Sequence, residues 1–455
     1  MKRAAILMGL LCGSLSAAQF NVPVEKFRLD NGMKVVMSVD NTVPVVAVYM
    51  IYNVGARSEE KGRTGFAHLF EHMMFEGSQN APKGVHGKQV QMNGGVLNGS
   101  THPDFTDYFE VLPSNKLGVA LWLESDRMRS LALTAENLAN QKEAVKQERR
   151  LSFDNQPYNT AIVDVWPTMV FSNWQSSHSL IGSFEDLNAA TIEDVTRFFK
   201  TYYAPNNATL VLVGDFRAAE AHKLVQTYFG DIASQPQPKR LDMSEPAERL
   251  KGTQTHKDAL ANVPGVVIGY PAPPRRSADY YALGLIDALL TGGETARLKQ
   301  DLVKGKKSII QYQGDVGWPF SSVADYKDPG DYAVFMLYKP NFTGAQIVEQ
   351  FQEEIQKIQS GGVDAAELDR AKTLLRSDRI KQMQSTLARA RALGTYETFD
   401  GDASLINSEL DRFLAVTLEQ VQDAAKRYLA SDKRTVLEIV PAPKPPATSE
   451  KKGDH

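Results

Sequence analysis

Cysteine is nearly absent from this chain. Cys12 is the only one among 455 residues. A disulfide framework and a metal site built from several thiolates are both excluded. Charge of one sign is also scarce, and the formal net charge is only −3. There is no basic field for nucleic acid and no polybasic membrane signal. Long apolar runs are missing too. Beyond the first residues, no stretch is apolar for long enough to cross a bilayer. Histidine is sparse at eight residues, so any clustering of histidines stands out. An apolar content of 42% beside 23% charged residues is that of a globular protein with material for a large core.

The N-terminus is the first feature present. Lys2 and Arg3 precede an apolar run from Ala4 to Leu15, followed by Ser16, Ala17 and Ala18. This layout predicts a secretory signal over residues 1–18, cut before Gln19. The run is too short for a membrane span. A lipoprotein cut before Cys12 is the alternative, which the bulk of Leu11 disfavours. Cleavage before Gln19 would leave no thiol and a formal charge of about −5. The expected location is the periplasm of a Gram-negative bacterium.

Residues 26–54 read as strands, with an Asn31-Gly32 hairpin turn. Residues 65–75 read as a helix, residues 94–113 as two strands broken near Pro103, and 115–131 and 136–152 as helices. Residues 191–213 align without a gap on 417–439. Thr191, Glu193, Val195, Lys200, Tyr202, Ala204 and Thr209 recur as Thr417, Glu419, Val421, Lys426, Tyr428, Ala430 and Thr435. Each copy is an amphipathic helix followed by a buried strand. The repeat predicts two similar α+β domains of roughly 200 residues each. We expect domains at 19–235 and 251–441, joined by a Pro- and Gln-rich linker at 236–250. A disordered tail is expected at 442–455.

The stretch "HLFEHMMFEGS" carries the chemistry. On a helix, His68, Glu71 and His72 share one face. Two imidazoles one turn apart suit a Zn²⁺ ion, which favours nitrogen ligands, and the glutamate between them is placed to take a proton from water. This is H-x-x-E-H, the zincin motif inverted. A catalytic zinc needs a third protein ligand and an open position. The other histidines, at 86, 102, 178, 222, 256 and 455, form no second tight cluster. His86 and His102 lie in loop-like surroundings, where surface roles are expected. The helix after Thr134 offers Glu136, Glu143 and Glu148, and spacing does not choose among them.

"HLFEHMMFEGS", "NGGVLNGSTHPDFTDYFEVLP" and "VKQERRLSFDNQPY" resemble, in order and separation, successive landmarks of the pitrilysin/insulinase family of zinc peptidases. The resemblance covers nearly the whole chain beyond residue 18. It implies an α+β fold of two tandem homologous domains. Each is a mixed or antiparallel sheet packed against helices, and together they form half of a clamshell chamber. It also implies one zinc per chain, held by His68, His72 and Glu148, with Glu71 as general base. Substrate would add as a strand beside Val96 to Thr101, with Asn98 and Gly99 near the scissile bond. Many relatives have an acid where Gln141 stands. Gln141 can still hydrogen-bond to a ligand but adds no charge, and Glu143 is the nearest acid that could compensate.

The second half departs from the pattern. "DYYALGLIDALLTGGETARL" has no histidine, so no zinc is expected there. Val303 and Ile310 stand where many relatives carry a substrate-binding Arg and Tyr; Arg297 and Tyr312 are near but out of register. The resemblance therefore implies a heterodimer with a similar chain that keeps the Arg/Tyr pair, with a homodimer as runner-up. The leading expectation is an exported zinc metalloendopeptidase acting on peptides or unfolded segments. The alternatives are a non-catalytic assembly subunit and a metal-binding protein without hydrolysis.

Overall fold

The computed structural model describes residues 21–239, 241–246, 252–327 and 329–442. The expected signal, part of the expected linker and nearly all of the expected tail lie outside the described residues.

The first half is built on six strands: β1 (Glu25–Arg28), β2 (Lys34–Val39), β3 (Val45–Tyr52), β4 (Val96–Thr101), β5 (Thr106–Pro113) and β6 (Ala208–Gly214). Their order is β1-β2-β6-β3-β5-β4. Only the β2–β6 pair is parallel. Gly32, at φ +90°, closes the β1–β2 turn in a backbone region that glycine enters freely. β3 is central and nearly all buried, so it is apolar on both faces. β4 is an edge strand and therefore alternates.

The second half has five strands: β7 (Gly252–Asp258), β8 (Gly265–Pro271), β9 (Ile309–Val316), β10 (Asp331–Tyr338) and β11 (Thr435–Pro441). Their order is β7-β11-β8-β10-β9, with β7–β11 the parallel pair. Strands β2, β6, β3, β5 and β4 thus correspond one for one to β7, β11, β8, β10 and β9. The sequence repeat falls on the helices Ile192–Tyr202 and Leu418–Tyr428 and the strands that follow them. Thr191 and Thr417 each cap their helix with a reciprocal side-chain bond, from Asp194 and Gln420.

Four helices shape the first half: α1 (Phe66–Met73), α2 (Val85–Met92), α3 (Leu117–Ser130) and α4 (Ala135–Arg149). The expected 65–75 and 115–131 helices are shorter than predicted, and the 136–152 helix opens into a wider turn over Arg150–Asp154. Phe66, Leu69, Phe70 and Met73 of α1 are buried in the main core. Each contributes roughly 1.5–3 kcal/mol of hydrophobic stabilisation, and their i, i+3, i+4, i+7 spacing turns His68, Glu71 and His72 the other way.

Each half also covers the back of the other's sheet. Ala390, Leu393 and Tyr396, at or beside the helix Thr386–Thr395, pack on Val36, Ala47, Tyr49 and Phe109 of the first sheet. Ile162 and residues Trp166 and Val170 of α5 (Trp166–Val170) pack on Val267, Ala333 and Leu437 of the second. Among the described residues, no helix is long and apolar enough to cross a membrane.

Candidate metal centre

The start of α1 is fixed from a distance. Gly65, at φ +81°, turns the chain into the helix in the left-handed region. The buried carboxylate of Glu59 accepts the backbone N–H groups of Gly65 and Ala67, each at 2.8 Å. It also lies 2.9 Å from Nε2 of His178. Glu59 satisfies otherwise unpaired helix-start donors and places negative charge at the positive end of the helix. Nothing in the polar loop "ARSEEKGRTG" singled out Glu59 over Glu60; its signal is only that it precedes the motif helix.

At the other end of α1 the three expected ligands meet. Nε2 of His68 lies 3.7 Å from Oε1 of Glu148, and Nε2 of His72 lies 3.2 Å from Oε2. One donor atom from each residue lies within 4.8 Å of the others. Glu148 rides near the end of α4. That end is held by Arg149, which donates to Asp164 and to the carbonyl of Gly182, both at 2.6 Å. Burial, then the neighbouring His72, pushes the His68 imidazole down to about 4, so His68 is neutral. His72 is driven down by burial, but the Glu148 hydrogen bond and charge outweigh it and raise it. Glu148 is held low, first by its bond to His72.

Gln141 settles the tautomer of His72. Its amide nitrogen donates to Oε1 of Glu76 at 2.7 Å, and its Oε1 lies 3.2 Å from Nδ1 of His72. The amide nitrogen donates to the carboxylate, so the amide oxygen faces the imidazole and accepts from Nδ1–H. Nε2 of a neutral His72 then presents a lone pair to the carboxylate of Glu148. Two acceptors in contact need a proton or a cation between them. With a neutral His68 beside them, this donor set fits a zinc ion: two imidazole nitrogens, one carboxylate and one nitrogen oriented by a further hydrogen bond. Glu76 was not foreseen. It follows His72 by four residues and brings back, one bond further out, the charge that Gln141 lacks. Lys83 pairs with its other oxygen.

Glu71 stands beside this group. Thr101 on β4 donates its hydroxyl to Oε2 of Glu71 at 2.6 Å. Burial pushes the Glu71 carboxyl up to about 7, against that hydrogen bond. A Cβ on Gly99 would lie 3.1 Å from Cγ of Glu71, so the close approach of strand to helix favours glycine there. Strand alternation puts Leu97, Gly99 and Thr101 on the Glu71 face. Asn98 and Ser100 are on the other face, where Ser100 donates to Asp107 at 2.6 Å. Gly99 therefore faces Glu71, and the Asn98 side chain points away from it.

Other expected residues fall elsewhere. Glu136 and Glu143 are exposed, and Glu143 pairs with Lys146, so Glu143 does not replace the missing acid. His86 corrects a surface expectation. It is on α2, 4% exposed, with Nε2 at 2.8 Å from Oε1 of Glu110. Glu124 completes a second His/carboxylate group. There the buried Arg127 bonds to Glu124 and lies 3.7 Å from Glu110, so a guanidinium already supplies the cation. Arg297 is structural, gripping both oxygens of Glu367 at 2.7 Å. Tyr312, like Ile310, is on edge strand β9.

Residues 34–182 match the family model "Insulinase (Peptidase family M16)", and residues 189–375 match "Peptidase M16 inactive domain". "Zinc protease PqqE" of Helicobacter pylori is 27% identical over 96% of this chain and 97% of its own length. A solved protease from Helicobacter pylori superimposes with a TM-score of 0.85 at 24% identity, over 92% of this chain and all of that one. A Pseudomonas fluorescens structure described as a peptidase M16 inactive domain gives 0.81 at 19% identity, over 93% of this chain and 99% of its own. The two family models follow one another along the chain and together cover residues 34–375 with a short gap, and the chain belongs to the insulinase family of peptidases, M16.

Proposed function

We propose that this chain is an exported zinc metalloendopeptidase that hydrolyses peptides or unfolded segments. His68, His72 and Glu148 would hold the ion. A zinc ion there supplies Lewis acidity toward a peptide carbonyl and the attacking water. Glu71 takes the proton of that water and delivers it to the leaving amine. Its elevated affinity for protons suits a group that must both accept and release one near neutrality. Gln141 and Glu76 orient His72. An extended peptide adds to the open edge of β4 through backbone hydrogen bonds, which favours unfolded substrates without demanding a sequence. Asn98 and Gly99 would lie along that added strand.

The observation that carries this reading is the convergence of two Nε2 atoms and the Glu148 carboxylate beside Glu71. The competing reading is a non-catalytic assembly subunit. The "inactive domain" match supports it only weakly, because that match covers residues 189–375 and includes none of these residues. The test is hydrolysis of a quenched peptide mixture by wild type and by Glu71→Gln, with zinc content measured in both. We expect the variant to keep zinc and to lose at least about a hundredfold in rate. Equal rates would remove Glu71 from its role.

The chain supplies one half of a chamber in this proposal. With Val303 and Ile310 in place of an Arg/Tyr pair, the complement would come from a second, similar chain. Gel filtration of the chain alone and with its candidate partner tests this. An active homodimer would defeat it.

A further inference from the structure

The face of the first sheet turned away from Glu71 carries a half-exposed cation with no hydrogen bond among the described residues. Arg391 belongs to the helix Thr386–Thr395, which the second half lends to the back of the first sheet. Its guanidinium sits over the Phe109 ring, with Cζ 5.1 Å from the ring centre. Phe109 is the β5 residue paired with Asn98 on β4. Nε of Arg391 is 4.0 Å from Oδ2 of Asp107, and the side chain is 46% exposed. Asp107 also accepts from Ser100 on one oxygen at 2.6 Å and from Tyr49 on the other at 2.8 Å. Among the described residues, the Arg391 guanidinium makes no hydrogen bond. A planar fork of donors is thus stacked on an aromatic ring one strand in from the edge, held only by the 4.0 Å ion pair to Asp107 and half exposed. Stacking pre-orders the fork, so little freedom is lost when it closes on a carboxylate.

We infer that Arg391 reads an acidic side chain of the bound peptide, at the position that lies alongside Asn98. This rests on the proposed addition of substrate to β4. Neighbouring strands lie about 4.8 Å apart, and side chains on one face of a sheet stand beside one another across strands. A peptide residue level with Asn98 and pointing to its face therefore comes alongside Asn98, roughly 10 Å from Phe109 across β4, a span that the side chains of Arg391 and a peptide acid bridge by reaching toward each other over Asn98. Its sequence neighbours point to the Glu71 face. The acidic residue then lies within about two residues of the bond presented to Glu71, on the opposite side of the peptide. The second half, which lacks the expected Arg/Tyr pair, contributes to substrate choice through a helix packed behind the catalytic half.

The test uses the full chain carrying Glu71→Gln, so that binding is read without cleavage. Fluorescein-labelled ten-residue peptides of Ala, Ser and Val carry one Glu at successive positions, each with a Gln counterpart. Anisotropy gives the affinities at low and high salt. We expect one position at which Glu binds about fivefold more tightly than Gln, as a half-exposed ion pair allows, with the preference fading in salt. Arg391→Gln should abolish the preference, Arg391→Lys should keep part of it, and Arg391→Glu should favour Lys at the same position. Equal affinities, or a preference that survives Arg391→Gln, would overturn the role of Arg391 while leaving peptide addition to β4 standing. Failure of every peptide to bind would overturn both.

Discussion

The Thr101 hydroxyl donates to the Glu71 carboxylate at 2.6 Å, tying the edge strand to the side chain proposed as the base. That bond favours the ionised carboxylate, whereas burial works against it and carries Glu71 up to about 7. Thr101→Val keeps the shape and removes the donor. Glu71 should then hold its proton to higher pH, so the acid limb of the kcat/KM profile should move upward, while Thr101→Ser stays near wild type. A bound dication draws the absolute position of the limb down in all three proteins, so the difference between variants is the readout. A limb unmoved by Thr101→Val would separate this bond from base function.

Gln141 orients His72 without contributing charge. Gln141→Leu leaves Nδ1 of His72 and Oε1 of Glu76 without the amide that joins them. Zinc affinity, measured by competition with a chromophoric chelator, should fall by about 10–100-fold, the usual loss when such a supporting bond is removed. Melting in the absence of zinc should change far less. Unchanged zinc affinity would mean that His72 is oriented by packing alone.

The outcome of reading the sequence divides along physical lines. The repeat was legible because ungapped identities over an amphipathic helix and a buried strand are read directly along the chain, and they fall on two helices that Thr191 and Thr417 cap. His68 and His72 were legible because helical spacing fixes a shared face. Glu148 was not legible from spacing: Glu136 and Glu143 sit on the same helix, and only tertiary packing turns Glu148 toward the histidines. Glu59 and Glu76 were missed for the same reason. Their partners are backbone N–H groups and an amide brought close only by folding. The exchange of helices between the halves left no local mark, since the surfaces that Trp166 and Leu393 cover belong to the other half and are brought to them only by folding.

Asp287 provides a pH test in the second half. Burial, then the nearby Asp315, pushes its carboxyl from 3.8 up to about 8. The folded protein therefore keeps a proton that the unfolded chain releases near pH 4. This contribution to stability is fully present below the unfolded value and is lost as pH rises toward 8. Asp287→Asn cannot ionise and keeps an acceptor for Thr291, which donates to Oδ1 at 3.0 Å. The variant should gain on wild type progressively from pH 4 to pH 8 and level off above. Part of Asp287 meets solvent, so the gain should be roughly 1–3 kcal/mol, less than the full shift implies. Denaturant midpoints at several pH values would show it, and a difference independent of pH would refute it.

The exchanged helices should make the two halves unfold as one unit. Trp166 is 1% exposed and lies over Gly269 of β8, where a Cβ would overlap its ring. Its indole nitrogen donates to Asp331 at 3.0 Å. The reciprocal contact has the same construction: a Cβ on Gly394 would come 2.6 Å from the Tyr49 ring. In both, an aromatic ring meets a glycine across the exchange, so each half covers apolar surface that the other would otherwise expose. Trp166→Ala empties a large volume and leaves Asp331 one donor short, a cost of about 3–5 kcal/mol. Gly269→Ala attacks the same contact by overpacking, at about 1–3 kcal/mol. Trp166 belongs to the first half but covers the second sheet. Both variants should therefore lower a single unfolding transition, reported alike by fluorescence and circular dichroism. Two separated transitions in Trp166→Ala, with the metal-bearing half melting at its wild-type temperature, would show that the halves fold independently.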